Sequence, residues 1–257
     1  MIPKIIHYCW LSDDPVPENL QKYMDSWKRI LPDYEFIKWD FTRFDKSSSV
    51  WVSEAFDNKK YAFACDYIRL YALYNYGGIY MDMDIEVLKS FDSLLNQEFM
   101  IAKERPNKNW IEAGCFGVEK GSQFIAHCLE YYTDKHFVNS SGVYEDTPLP
   151  RIMSNVYEGH NYSFPLYDWH TFTNKSYETG EVSINDKSFA IHHFAGSWKD
   201  ARVQRAENKA AFLRRKVPVL GGSIAFLYIK GFKSIEAVKK GGLKELLIRS
   251  VRYIKKS

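Results

Sequence analysis

Apolar positions along this chain fall into short runs that alternate with helical patterns. PKIIHYCW, residues 3–10, is an apolar stretch bounded by Pro3 and by the turn sequence SDDPVPE, and it predicts a buried first strand. Residues 18–30 carry apolar residues at helical spacing, LPDY breaks the pattern, and YEFIKWD predicts a second strand. Strand, helix, strand in that order predicts a parallel α/β unit. A longer helix is predicted over residues 60–76, KYAFACDYIRLYALYNY, closed by Gly77 and Gly78. Within it Asp66 and Arg69 stand at i and i+3, hence on one face. IYMDMDIEVL, residues 79–88, predicts a strand on which Asp82, Asp84 and Glu86 all point to one side, because strand side chains alternate. The pattern predicts further strands at 99–104, 113–118 and 187–198, and helices at 122–137 and 150–157. Residues 201–257 read as short amphipathic helices, a separate appendage to a domain spanning 1–200.

Composition fits this division. The chain has 257 residues, 46% of them hydrophobic and 16% aromatic, enough for one sizeable α/β core and a small extra element. From Lys199 onward there are 16 Lys and Arg against 4 Asp and Glu, whereas the preceding residues carry 19 against 28. The tail is therefore cationic and the body acidic, which disfavours nucleic acid as the partner of the body. The cationic helical faces of the tail suit an anionic membrane surface. Cys9, Cys65, Cys115 and Cys128 show no metal-finger or CxxC spacing and lie in apolar runs, as free thiols of a reducing, cytoplasmic compartment do. The N-terminal MIPKIIHYCWLSDD lacks the pattern of a secretory signal, and no segment reaches the ~18 apolar residues of a membrane span.

The chemistry concentrates in GGIYMDMDIE. Asp82 and Asp84 have no Lys or Arg between Ile79 and Leu88, so they form an oxygen-rich site suited to a hard divalent cation, Mg²⁺ or Mn²⁺. Taken alone, the same triplet also fits solvated carboxylates on an edge strand, a phosphatase-like hydrolase with a DxD nucleophile, or a non-enzymatic metal- or carbohydrate-binding module.

The surrounding residues narrow the choice. CDYIRLYALYNYGGIYMDMDIEVL resembles the segment shared by family 32 glycosyltransferases of the capsular-polysaccharide, yeast α-mannosyltransferase and clostridial-toxin type, with the Asp–Arg pair, double glycine and DxD at the family's spacing. PKIIHYCWLSD and FAIHHFAGSW resemble that family's N- and C-terminal motifs, so the resemblance covers residues 1–200 and leaves the tail uncovered. It implies an α/β fold of the glycosyltransferase A type, with a Rossmann-like nucleotide-binding part and a mixed sheet. It also implies metal-dependent transfer of a sugar, by default from a UDP-sugar, to a glycan or lipid-linked acceptor in capsular or surface polysaccharide synthesis, with retention of configuration. The setting it implies is the cytoplasm, at the inner face of the cell membrane.

Carried over by residue, the resemblance implies that Trp10 borders the base, and that Asp66 and Arg69 contact donor sugar, ribose or phosphate. Asp82 would serve ribose or metal and Asp84 the metal. His192 or His193 would complete the metal shell, with Ser197 and Trp198 capping the diphosphate. Strand alternation lets only one of the two histidines face the site, and His192 is preferred because the motif begins there. His7 reads as a core residue. Where many relatives carry an asparagine near the donor sugar, this chain has Glu112-Ala113-Gly114, which leaves Glu112 either a sugar or acceptor contact or an exposed loop charge.

Overall fold

Apolar β1 (Ile5–Cys9) becomes the second strand of a five-stranded sheet, because strands parallel to it form on both sides. α1 (Glu18–Ile30) leads to β2 (Glu35–Trp39), which pairs parallel to β1 with Ile5 opposite Glu35. α2 (Val50–Asp57) and α3 (Tyr61–Tyr76) follow, and β3 (Gly78–Met81) then pairs parallel to the other edge of β1, with His7 opposite Tyr80. β4 (Ile85–Val87) leaves for another sheet, and β5 (Phe99–Met100) returns as the outer strand. β6 (Lys103–Arg105) and β7 (Lys108–Ile111) make a small antiparallel pair, and β8 (Cys115–Val118) closes the main sheet antiparallel to β3 and β5. The order is β2-β1-β3-β8-β5, a mixed sheet. α4 (Gln123–Glu130), α5 (Leu149–Gly159) and β9 (Ala190–His192) complete this part, with β9 antiparallel to β4. The computed structural model describes residues 1–106, 108–196, 201–216 and 221–235.

Two glycines make the passage from α3 to β3 possible. Gly77 and Gly78 have φ of +66° and +102°, and a Cβ would meet the Lys120 nitrogen at 2.6 Å on the first and the Ile5 carbonyl at 2.7 Å on the second. The same turn is read by a buried histidine. His7 is fully buried, its Nε2 donates to the Gly77 carbonyl at 2.8 Å, and its Nδ1 accepts from the Trp39 indole at 3.0 Å. The core reading of His7 therefore holds.

Four elements differ from the pattern-based expectation. The strand expected over 79–88 is two strands joined by a turn, in which the Ile85 N–H donates to the Asp82 carbonyl at 3.0 Å. Asp82, Asp84 and Glu86 consequently do not share a strand face. The expected 99–104 strand breaks after Met100, because the Ile101 and Ala102 carbonyls turn to the Tyr167 and Glu112 N–H groups. The 122–137 helix stops at Glu130, where Tyr131 and Tyr132 pack edge-on against Trp51 and the backbone continues as turns to Asp134, φ +53°. Of the strand expected over 187–198, the described residues form a strand at Ala190–His192. α2 and β7 lay outside the expectation, although the Ser49 hydroxyl caps α2 by accepting from the Val52 N–H.

The chain divides into two compact units, Met1–Lys175 with Val182–Trp198, and Ser176–Glu181 with the chain from Lys199 onward. In the second unit α6 (Ala201–Lys216) and helix 221–235 form a pair, where Gly221 is tightly placed against the Leu213 carbonyl and Lys209 lies over the Tyr228 ring. Among the described residues no helix is long and apolar enough to cross a membrane.

Burial lowers the pKa of His7 to about 4, against the hydrogen bond to Gly77. An unfolded histidine titrates near 6.5, so the stability that depends on neutral His7 is intact above pH ~6.5 and is lost as pH falls toward about 4, by about 3 kcal/mol. Denaturant unfolding between pH 7 and 4 should show this slope, and His7→Gln should flatten it. A variant with the wild-type slope would refute the assignment.

Candidate active site

The chain brings its acidic motif to the C-terminal edge of the parallel strands. Trp10 follows β1 and Asp82 follows β3 at that same edge. Trp10 is half-buried; its backbone N–H donates to the Trp39 carbonyl and its indole to the Asp14 carbonyl at 2.8 Å. α3 runs beneath and carries Asp66 and Arg69 on one face.

Arg69 is the hub of this edge. It is 5% exposed, and each of its three nitrogens faces an oxygen of the protein. Nη1 donates to the Ala113 carbonyl at 2.6 Å and to Asp82 at 3.4 Å; Nη2 reaches Asp66 at 3.1 Å and Asp82 at 3.3 Å; Nε donates to the Cys65 carbonyl at 3.4 Å. The guanidinium also lies over the Tyr80 ring at 4.4 Å, and the Tyr80 hydroxyl donates to Asp82 at 3.0 Å. Such an arginine holds the carboxylates in place. Burial raises Asp66 to about pKa 6 despite Arg69, and burial likewise raises Asp82. Asp66 also accepts the N–H of Leu149, the first residue of α5, where the positive end of a helix dipole favours a carboxylate.

Asp84 occupies the turn before β4, and β4 is fixed from both sides. The Trp27 indole on α1 donates to the Ile85 carbonyl at 2.6 Å, and the Val87 N–H donates to the Ser26 hydroxyl at 2.9 Å, while β9 pairs on the opposite edge with Ile85 facing His192. His192 thereby lies against Asp84, its Nε2 3.6 Å from Asp84 Oδ1. His193 turns away, bonds Glu86 at 2.8 Å and stacks on Tyr23 at 4.3 Å. Of the two histidines, His192 faces the DxD turn. Glu86 is thus a partner of His193, outside the acidic cluster. The segment after β9 folds over Asp84, with the Ala195 N–H donating to Asp84 Oδ2 at 2.6 Å and the His193 N–H to the Asp84 carbonyl. Ser197 and Trp198 lie outside the described residues.

Asp82, Asp84 and His192 each offer an atom within 4.8 Å of the others, a spacing that a single cation could draw together. Behind them stands a residue that sequence reasoning placed differently. Glu112 is 1% exposed; it bonds His192 Nδ1 at 3.0 Å and accepts from the Gly114 N–H at 2.6 Å and the Thr173 hydroxyl at 2.6 Å. It is not an exposed loop charge. A carboxylate on one imidazole nitrogen fixes the tautomer and aims the other nitrogen, the usual support of a metal-ligating histidine. Gly114 allows the approach, since a Cβ there would lie 2.6 Å from the His192 ring and 3.0 Å from Asp82. The departure at Glu112-Ala113-Gly114 was visible in the sequence, but its pairing with Thr173 and His192 was not.

The electrostatics favour positive charge between these groups. Burial works against a charged His192, yet Glu112 and Asp84 raise its pKa to about 10. Burial also works against the Glu112 carboxylate, and His192 with the Thr173 and Gly114 bonds nevertheless holds its pKa below the ordinary value. Two carboxylates and one braced imidazole fit a divalent cation with open positions for phosphate oxygens.

Residues 17–100 match the family model of the glycosyltransferase sugar-binding region containing the DXD motif. The matched segment runs from α1 through α3 and the DxD turn to β5 and is similar to this DXD-containing glycosyltransferase family. It is 28% identical over 156 residues to inositol phosphoceramide mannosyltransferase 3 of Schizosaccharomyces pombe, covering 58% of this chain and 43% of that protein. It is 33% identical over 110 residues to mannosyl phosphorylinositol ceramide synthase SUR1 of Saccharomyces cerevisiae, covering 41% and 28%. The chain thus spans less than half the length of these relatives. Among solved structures, the PaToxG glycosyltransferase superposes with a TM-score of 0.46 at 18% identity, over 62% of this chain and 70% of that one. The mixed sheet, with the DxD turn at the end of β3, agrees with the α/β class expected from the sequence.

If Glu112 aims His192, Glu112→Gln should weaken Mn²⁺ binding by about 10- to 100-fold while leaving most of the thermal stability. Mn²⁺ titration followed by electron paramagnetic resonance measures it; an unaltered isotherm would remove Glu112 from the support of the site.

Proposed function

We propose that this chain transfers a sugar from a nucleotide-sugar donor to a hydroxyl of a glycan or lipid-linked acceptor, with Mn²⁺ or Mg²⁺ held by Asp84, His192 and Asp82. The observation that carries the reading is the convergence of Asp82, Asp84 and His192 under two buried braces, Arg69 and Glu112. A cation there supplies charge to the diphosphate as the glycosidic bond breaks, when the leaving group gains negative charge. The chain's own residues orient that charge. Asp66, largely buried between Arg69 and the start of α5, is the further carboxylate assigned to sugar or ribose hydroxyls, and Trp10 at the same sheet edge borders the base.

The finer reading is a UDP-sugar donor, retention of configuration and a product in surface polysaccharide synthesis, as the motif resemblance implies. A second reading is favoured by the relatives, whose names describe mannosyl transfer to inositol phosphoceramide. It gives this chain a mannosyl donor and a phosphorylated lipid acceptor. Either acceptor fits a catalytic unit working at the inner face of the membrane. Helix 221–235 supports that placement with exposed Ile224, Leu227 and Ile235 along one stripe and Lys230 beside it. Each cation near an anionic surface adds roughly 1 kcal/mol to such binding.

A panel of uridine, guanosine and other nucleotide sugars, assayed with Mn²⁺, Mg²⁺ or chelator, should show metal-dependent release of one nucleoside diphosphate. Asp84→Ala should lower that rate by about 100-fold or more while keeping its melting temperature. Turnover unchanged by both chelator and Asp84→Ala would sink the proposal, and the nucleotide released decides between the donor readings.

Co-sedimentation tests the surface. The full chain should bind vesicles containing anionic lipid and not neutral ones, and Ile224→Glu with Leu227→Glu should abolish binding. Equal sedimentation of wild type and variant would exclude this helix as the contact.

A further inference from the structure

A second group of metal-ligating side chains lies away from the DxD turn, on α4 and at the end of α5. His127 and Glu130 stand three residues apart on α4, hence on one face, and His160 is the residue that caps α5. One nitrogen of each histidine and one Glu130 oxygen lie within 4.8 Å of one another. We propose that His127, Glu130 and His160 bind a Zn²⁺ ion that ties α4 to the C-terminal end of α5.

The positions of these residues are set by the backbone. The His160 N–H donates to the Val156 carbonyl at 3.0 Å, and the chain then reverses at Asn161, φ +55°, so that the Tyr162 N–H meets the Tyr157 carbonyl at 2.9 Å. That reversal carries the Tyr162 hydroxyl to His127 Nδ1 at 2.9 Å. The hydroxyl can accept the Nδ1–H and so leave Nε2 as the coordinating atom, the kind of support a ligating histidine needs. The His127 and His160 rings lie face to face, with centroids 3.9 Å apart and planes 14° from parallel. Two imidazoles that close would repel if both were protonated; for both to bind one ion the exposed His160 ring must turn out of this stack, because a metal lies near the plane of each imidazole it binds.

Ligand type selects the metal. Two imidazole nitrogens and one carboxylate suit Zn²⁺, bound at about 2.0–2.2 Å with a fourth position for water. The DxD cluster has the opposite ratio, two carboxylates to one imidazole, and suits a harder ion. Closing from the present spacing to zinc geometry requires the ligand atoms to contract, and Glu130 and His160 are exposed side chains free to move inward. The helix so tied is the one whose first N–H meets Asp66, so zinc would fix the far end of a helix that begins at the candidate active site.

The full-length protein, stripped with chelator, is titrated with Zn²⁺ by calorimetry and with Co²⁺ by visible absorption, as wild type, Asp84→Ala, His160→Ala and His160→Gln. Asp84→Ala should keep one site of micromolar or better affinity, with a Zn²⁺-displaceable Co²⁺ spectrum and a Zn²⁺-dependent rise in melting temperature. Both His160 variants, folded by circular dichroism, should lose that site and that rise, with affinity down about 100-fold. Zinc binding in the His160 variants equal to wild type, or none in Asp84→Ala, would overturn the proposal.

Discussion

The candidate site depends on one buried cation. Arg69 is taken out of water on the inner face of α3, and a guanidinium in that position is tolerable only when its charge and its N–H groups are matched. Asp66 from the same helix, Asp82 from the end of β3, and the carbonyls of Cys65 and Ala113 provide the match. The result is a joint between a helix, the central strand and the loop that precedes β8. Remove the charge from this joint and two carboxylates are left buried beside each other without compensation, a greater penalty than the loss of any one bond.

A second joint does for the histidine what Arg69 does for the aspartates. Glu112 connects the segment before β8 with Thr173 and with β9, and every one of its contacts is across a long stretch of sequence or to the tight Gly114 turn. The acidic cluster is thus bounded by a fixed positive group on one side and a fixed negative group on the other. Between them the local field favours an added cation, while the open flank of Asp82 remains the most accessible part of the trio.

Local signals carried much of this organisation. The helical period and its double glycine stop located α3, and the apolar run after Pro3 located β1, because both depend on residues near in sequence. The DxD spacing located the acidic cluster, and the motif resemblance located its family. What escaped was decided at long range. Nothing in IYMDMDIEVL alone shows that its second half leaves the main sheet, since that follows from α1 capturing the Ile85 carbonyl and from β9 arriving a hundred residues later. Glu112 was ambiguous for the same reason, its partners being Thr173 and His192. Arg69 was recognised as important, but its contacts with Asp82 and the Ala113 carbonyl come from segments that its own helix does not reveal.

The turn between β3 and β4 has a mechanical meaning as well. Asp82 rides on the five-stranded sheet, whereas Asp84 and His192 ride on the two-stranded one. The two halves of the cation site therefore come from different sheets laid against one shared core, and an ion held by both would act as a rivet across that seam. Filling the site would stiffen the seam and any shear along it would pull the ligands apart, so the tightness of the metal would report on the alignment of the two sheets.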